Sequence, residues 1–227
     1  MNSIERIISR SETSHAETRN VAGHKVLRNT YMLLSMTLLF SGFTAGMSMT
    51  FNLPHPGFII TLVGYFGLLF LTTKFRNSSL GILCVFALTG FMGLTLGPII
   101  QAYLNFPNGA EIVTMAMAGT GVIFLTLSAY AITSRRDFSF MGSFLMVGII
   151  VAFLAGIAAF FFSMPGLSLA VSAMFVLLMS GLILYQTSSI LNGGETNYIM
   201  ATVTLYITIY NLFTSLLHLL GAFSSDD

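Results

Sequence analysis

From residue 29 onward the sequence consists of long apolar runs separated by short polar breaks, a pattern that leaves few possible folds. A helix that crosses the hydrocarbon core of a bilayer needs about 20 such residues. A membrane β-barrel instead needs segments that alternate apolar and polar residues, and these runs are continuously apolar. The chain is therefore predicted to be an all-α membrane protein with seven transmembrane helices, at approximately 29–51, 57–73, 78–104, 112–134, 138–162, 167–191 and 197–221.

Charged residues are scarce and concentrated before the first run. They make up 7% of the 227 residues, against 55% hydrophobic ones, which is too few to cover a water-exposed domain. A net charge of +1 gives no reason to expect nucleic-acid binding, which needs clustered Lys and Arg. The lipid bilayer is therefore the expected partner of residues 29–221, which form the predicted transmembrane domain.

The segment 1–28 is predicted to be a disordered cytoplasmic tail, because it is rich in polar residues and cannot bury a core. Within it, Ile4, Ile7 and Ile8 recur at helical spacing beside Arg6 and Arg10. Short amphipathic segments of this kind bind anionic membrane surfaces. Both interpretations, the unstructured tail and the surface-bound segment, agree with the sequence.

The basic residues all lie on one side of the membrane if the amino terminus is cytoplasmic. Lys74 and Arg76 then fall in the second connection, Arg135 and Arg136 in the fourth, and the other five in the tail. Because cytoplasmic segments retain Lys and Arg, this orientation is predicted, with a short external C-terminal tail at 222–227. A re-entrant seventh run would instead return the C-terminus to the cytoplasm.

The three predicted outer loops resemble one another. They read NLPHPG at 52–57, NFPNG at 105–109 and SMPG at 163–166, each with Asn or Ser, one residue, Pro, and then Gly. The repetition predicts three helical hairpins and an unpaired seventh helix. Tight turns select Pro and Gly in any case, so the loops alone do not decide between duplication and independent selection.

The seventh run carries a polar stripe at steps of four, three, four and three residues, formed by Thr204, Thr208, Asn211, Ser215 and His218. This spacing places them on one face of a helix. A central helix uses such groups to bond its neighbours, whereas a lipid-facing helix is apolar outward. The stripe therefore predicts a seventh helix surrounded by the three hairpins, although Thr and Ser also bond their own backbone carbonyls.

The third run contains Gly93, Gly97 and Pro98, the last being the only proline inside a predicted span. The two glycines lie four residues apart and offer a face on which another helix packs closely. Proline removes a helical hydrogen bond, so a kink is predicted there. These residues are interpreted as packing devices.

Residues with catalytic or metal-binding chemistry are sparse in the spans. No Asp, Glu, Lys or Arg falls inside a predicted span, which removes the usual marks of a proton relay. The four histidines are scattered and Cys84 is the only cysteine, so no metal site or cofactor is expected. An intramembrane serine protease is disfavoured because Ser180 lacks the glycine-flanked turn that exposes a nucleophile.

Several motifs resemble signatures of the Bax inhibitor-1 family. They are TGFMGLTLGPII at 89–100, GLILYQT at 181–187, GETNYI at 194–199 and LYITIYNLF at 205–213, with HKVLRNTY at 24–31 resembling a bacterial branch. Their order extends over nearly the whole chain. The resemblance implies two layers of three helices around a central seventh. It also implies a bacterial inner-membrane protein, with its C-terminus periplasmic, that binds and restrains the membrane-anchored ATP-dependent protease FtsH.

The family's other attributed activity is a pH-sensitive calcium leak, and here the sequence departs from the pattern. Leak members carry one aspartate in the sixth-helix motif and one in the seventh, where this chain has Gln186 and Thr208. Paired carboxylates titrate near neutral pH because repulsion and burial raise one pKa. An amide and a hydroxyl do not titrate, so a non-enzymatic regulator is preferred over a calcium or cation leak, and a purely structural role stays open.

Overall fold

The computed structural model describes residues 3–134 and 136–224, with side chains from Ala22 onward. These residues form seven helices, α1 Ser3–Thr50, α2 Phe58–Lys74, α3 Ser79–Leu104, α4 Gly109–Ser134, α5 Met141–Phe161, α6 Pro165–Leu191 and α7 Tyr198–Phe223. Six of them are long and apolar enough to cross a membrane, counting α1 from Ala22, and the 17-residue α2 is shorter. The all-α membrane class is confirmed.

The helix α1 begins at Ser3, inside the segment predicted to be a disordered tail. Leu27 is buried, and a side chain at Gly23 would lie only 2.6 Å from the carbonyl oxygen of Leu191 at the end of α6. The disordered-tail prediction is therefore wrong for residues 22–28. It rested on the average polarity of the segment 1–28, which does not indicate the two positions that pack against the rest of the protein. At the other terminus α7 continues to Phe223, and residues 225–227 lie outside the described part of the chain.

The helix α7 packs against four of the other helices, α1, α3, α4 and α6. Half of the residues in the most apolar stretch of α7 are buried, the same share as in α3 and a larger share than in the other candidate spans. A further interface joins α5 to α6, whereas α1 packs mainly against α3 rather than against its chain neighbour α2. The first predicted hairpin is thus a chain connection and not a packed pair, and the arrangement of the other two hairpins around α7 stays a prediction.

The α1–α3 interface is close because α3 presents glycines to the backbone of α1. A side chain at Gly97 would lie 2.6 Å from Cβ of Ser48 and 2.8 Å from the carbonyl oxygen of Ala45. Gly93 faces Ser41 one turn earlier on α1. Any larger residue at either glycine would push the two helices apart.

The same interface compensates for Pro98, which lies inside α3. Proline has no N–H, so the carbonyl of Leu94, four residues earlier, loses its helical donor. The Ser48 hydroxyl donates to that carbonyl at 2.9 Å. The helix therefore continues to Leu104 with this group satisfied from the neighbouring helix, and the kink at Pro98 stays a prediction.

We expect Ser48→Ala to lower the free energy of unfolding by about 1–2 kcal/mol, because it leaves the Leu94 carbonyl without a donor in an apolar interior. In a Pro98→Ala background the restored N–H supplies that donor, so the same substitution should cost less. Unfolding of the four proteins in detergent, followed by circular dichroism, gives the coupling. Thr50→Ala is the control, since Thr50 bonds only its own helix. An unchanged cost of Ser48→Ala in the two backgrounds would contradict this account.

Candidate functional site

A cleft of about 740 Å³ lies between α2 and α5, with α7 at its base. Thr204, Thr208 and Asn211 of the polar stripe line this cleft. Along α2 its wall runs from Thr61 to Thr73, nearly the whole length of the helix. The cleft exists because α2 packs on α3 and α5 on α6, and neither makes a substantial interface with α7.

The polar groups at the base of the cleft are satisfied within α7 itself. Thr204 donates to the carbonyl of Met200 at 3.0 Å, and Thr208 to that of Thr204 at 2.7 Å. The Asn211 side-chain amide donates to the carbonyl of Ile207 at 2.9 Å. Both hydroxyls and one N–H of the Asn211 amide thus bond the carbonyl four residues earlier, which is the alternative that the sequence left open. The cleft surface is consequently almost entirely apolar.

The outer part of the stripe has a different environment. Nδ1 of His218 lies 2.8 Å from the hydroxyl of Ser172 on α6. That hydroxyl donates to the carbonyl oxygen of Ser168 at 3.1 Å. Ser180, the serine considered from sequence, instead donates to Val176. Ser172 lies within a helix and not on the sharp turn that exposes a nucleophile. The Ser172–His218 pair therefore joins α6 to α7, a contact that the sequence did not predict.

The two positions that replace the carboxylate pair lie on neighbouring helices. Thr208 is fully buried at the base of the cleft. Gln186 is half-buried on α6, four residues beyond Leu182, which lines the cleft, so helical periodicity places Gln186 on the same face. Among the described side chains no hydrogen bond joins Gln186 to Thr208, since Thr208 bonds its own helix.

Metal-binding groups do not converge near these positions. Within the described residues no three His, Cys, Asp or Glu side chains come together in a way that would hold a metal ion. Cys84 is partly buried in α3. The chemistry of the site is therefore that of apolar surface and internally bonded hydroxyls.

Tyr206 links three helices in the middle of the protein and was not singled out from sequence. Its hydroxyl lies 2.6 Å from that of Ser41 on α1 and donates to the carbonyl of Thr89 on α3 at 3.2 Å. Thr89 is the first residue of the third-helix motif. A second bridge joins the hydroxyls of Tyr31 and Thr187 at 3.2 Å, between α1 and α6. A buried tyrosine hydroxyl requires a partner, which is the signal that sequence offered.

Asn197 fixes the amino-terminal end of α7, which begins at Tyr198. Its side-chain oxygen accepts from the N–H groups of Ile199 and Met200 at 3.0 and 3.1 Å, which caps the helix. Its amide donates to the carbonyl of Arg76 and to the side chain of Asn77, both at 2.9 Å. The GETNYI motif therefore holds the start of α7 against the α2–α3 connection, at the end of the cleft.

The α4–α5 connection is held in a similar way. Ser188 of α6 donates to the carbonyl of Arg136 at 3.1 Å and accepts from the N–H of Phe138 at 3.1 Å. Hydrogen bonds from the hydroxyl and backbone N–H of Ser139 lower the pKa of the exposed Asp137 carboxyl. Asp137 is therefore ionised at neutral pH. Arg135, two residues before Asp137, lies outside the described residues.

Comparisons with known proteins agree with the motifs. The family model described as "Inhibitor of apoptosis-promoting Bax1" matches residues 23–225. The chain is 51% identical over 223 residues to "Modulator of FtsH protease YccA" of Escherichia coli strain K12, covering 98% of this chain and 100% of that protein. It is 43% identical over 218 residues to a membrane protein of Vibrio cholerae, covering 96% and 97%. With a family match over most of its length and full-length relatives, the chain belongs to the Bax inhibitor-1 family.

Proposed function

We propose that the protein is a non-enzymatic regulator in the bacterial inner membrane that binds and restrains an FtsH-type protease. The observation that carries this proposal is the full-length relationship, at 51% identity, to a protein named as a modulator of that protease. A second strain of Escherichia coli has an equally similar relative named "Inner membrane protein YccA".

Restraint follows from the way in which α1 is held. The polar segment 1–21 precedes the first span and is the part of the chain that a cytoplasmic protease would grip. It continues directly into the spanning part of α1, so a pull on it acts on that helix. The Gly97 contact, the Ser48 hydrogen bond and the Tyr206 bridge all resist the movement of α1. Such a protein occupies the protease as a substrate that is slow to extract.

Deleting residues 2–21 should lengthen the half-life of the protein in cells that contain the protease, because the gripped segment is lost while the packing of Gly23 and Leu27 remains. Pulse–chase labelling measures the half-life, and the same deletion in protease-deficient cells is the control. Association is expected to persist through the spans, as tested by affinity purification from native membranes. Equal half-lives in protease-containing cells would remove the segment from the mechanism, and a failure of the intact protein to co-purify with the protease would contradict the function.

The proposed orientation has the amino terminus in the cytoplasm and the C-terminus in the periplasm. A length of 26 residues makes α7 long enough for a full crossing, which supports an odd number of spans. The connections that carry Lys74, Arg76 and Arg136 are then cytoplasmic, as retention of basic residues requires.

We expect a reporter that is active only outside the cytoplasm to be active when fused after Asp227 and silent when fused after Arg136. The reason is that an intact α7 places the C-terminus across the membrane from the α4–α5 connection. A reporter that is active only in the cytoplasm, fused at the same two positions, is the control and should give the opposite pattern. Cytoplasmic activity at Asp227 would mean that α7 does not cross.

A cation leak is the second candidate function, because the α7 stripe borders the cleft between α2 and α5. Thr204 and Thr208 donate their protons to backbone carbonyls of α7, and the oxygens of these two hydroxyls and of Asn211 are the few uncharged ligands that the base of the cleft offers in place of the hydration shell of an ion. No carboxylate takes part in lining the cleft. These features support the regulator over the leak.

Calcium flux through the purified protein in liposomes should be weak and nearly independent of pH between roughly 6 and 8, because neither Gln186 nor Thr208 titrates. Gln186→Asp with Thr208→Asp should introduce pH dependence if the two side chains face each other, since one of the paired acids then has a raised pKa. Gln186→Asn with Thr208→Asn is the control, polar but without a titrating group. A strong, pH-dependent flux through the unmodified protein would favour the leak.

A further inference from the structure

The cleft between α2 and α5 is bordered by a stacked aromatic pair at one end, and two basic residues follow its α2 wall at the other. The rings of Phe58 on α2 and Phe160 on α5 stack at 5.1 Å between centroids, with an interplanar angle of 20°. This contact joins the outer ends of the two helices. On α7 the lining runs from Met200 to Asn211, about 16 Å at 1.5 Å per residue, which is the half of the helix nearest its cytoplasmic start. The cleft is therefore an elongated slot that follows most of α2 and the half of α7 nearest the start of that helix.

The wall of the slot suits a hydrocarbon chain better than water. Its surface is almost entirely apolar, with side chains such as Phe66, Ile150 and Ile207 contributing to it. The hydroxyls of Thr204 and Thr208 are turned to carbonyls of their own helix and do not offer donors to water. A volume of about 740 Å³ is within the range of ligand clefts, roughly 300–1,000 Å³.

Two exposed basic residues, Lys74 and Arg76, follow the α2 wall of the slot directly in the chain. Thr73 lines the slot, and the next residue, Lys74, is exposed with its ammonium 5.9 Å from the ring centroid of Phe75. Arg76 is also exposed, and its backbone carbonyl is held by Asn197. Within the part of the chain whose side chains are described, neither cation has an acidic partner. Lysine and arginine at this depth bind the phosphate of a lipid headgroup.

We propose that this slot binds one anionic phospholipid from the cytoplasmic leaflet, with an acyl chain along α7 and the phosphate against Lys74 and Arg76. The basic residues follow directly on the α2 wall of the apolar slot, as the headgroup of a phospholipid adjoins its acyl chains. This site is separate from the regulator function and does not depend on it. The lipid fills the space that α2 and α5 leave beside α7.

A second groove in the protein serves as an internal comparison. It has a similar volume, about 760 Å³, and lies between α1 and α4. Its lining on α1 runs from Leu38 to Met49 and on α4 from Val113 to Phe124, which is the outer half of both helices. These stretches contain no Lys or Arg. The groove offers apolar space without the charges that would hold an anionic headgroup.

Native mass spectrometry tests the headgroup. The full-length protein is released from micelles that contain equal amounts of phosphatidylglycerol and phosphatidylcholine with identical acyl chains. We expect one phosphatidylglycerol per chain, preferred about tenfold. Lys74→Gln with Arg76→Gln should remove the preference, whereas Lys25→Gln with Arg28→Gln, an equal loss of charge on the same side of the membrane, should keep it. No preference in the unmodified protein, or an equal loss in the two double variants, would overturn the proposal.

The shape of the slot is tested by filling it. Ile207→Trp places a large side chain at the base of the slot, and Val113→Trp does the same in the comparison groove. We expect the first to lose the bound lipid and the second to retain it. Ile150→Trp enters the slot from a half-exposed position on α5 and replaces Ile207→Trp if that variant fails to elute as a single species. Lipid retained by the slot-filled variant, at the level seen with Val113→Trp, would overturn the proposal.

Discussion

The hydrocarbon core of a bilayer contains no water to bond a free carbonyl or N–H, so every backbone group must find its partner within the protein. This requirement makes the spans helical, and it also explains the hydrogen bonds between them. Pro98 leaves the Leu94 carbonyl without its helical donor, and Ser48 supplies one from α1. That hydrogen bond is possible only because Gly93 and Gly97 let the two backbones approach. The glycine face and the proline are therefore parts of one arrangement.

The same requirement changes what the polar stripe of α7 means. Counted as residues, Thr204, Thr208 and Asn211 make a polar face, which in many membrane proteins marks a path for ions or protons. The same face presents few free donors, because each of the three side chains donates a hydrogen bond to a carbonyl of its own helix. Interhelical polar contacts are made instead by side chains outside the cleft, among them Tyr206, Tyr31 and His218. The stripe thus gives the cleft its location and contributes little polarity to it.

The sequence predicts the helices well and their partners poorly, for a physical reason. Each span must be long and apolar to cross the membrane. Six of the predicted runs accordingly coincide with helices that meet this requirement, and the remaining run, the second, coincides with the shorter α2. Periodicity gives the buried face of a helix but not the helix that covers it, and α1 accordingly packs on α3 rather than on α2. The predicted end of the tail at residue 28 is wrong for a similar reason. Leu27 is buried, and Gly23 packs against α6, which is distant in sequence.

The Ser172–His218 contact illustrates the limit for the site residues. Each residue stands on a predicted span, and the stripe predicts that His218 lies on the same helix face as Thr208. Nothing in the spacing, however, indicates which residue of α6 lies opposite. The family resemblance supplies the order of the motifs, and the structure adds that Thr89 of one motif bonds Tyr206 of another. Motif positions are thus predictable from sequence, but contacts between motifs require the fold.

The interfaces divide the protein into two parts with different consequences. The helices α1, α3, α4, α6 and α7 are joined to one another through interfaces with α7, and the hydrogen bonds of Ser48, Tyr31 and Tyr206 all restrain α1. The helices α2 and α5 each pack on one neighbour and meet at Phe58 and Phe160. A pull on the amino-terminal segment therefore acts on the group of helices that is joined by the most interhelical contacts. Several of these contacts must break together before α1 can move. Movements of α2 and α5 that widen or narrow the cleft need not break any of those contacts.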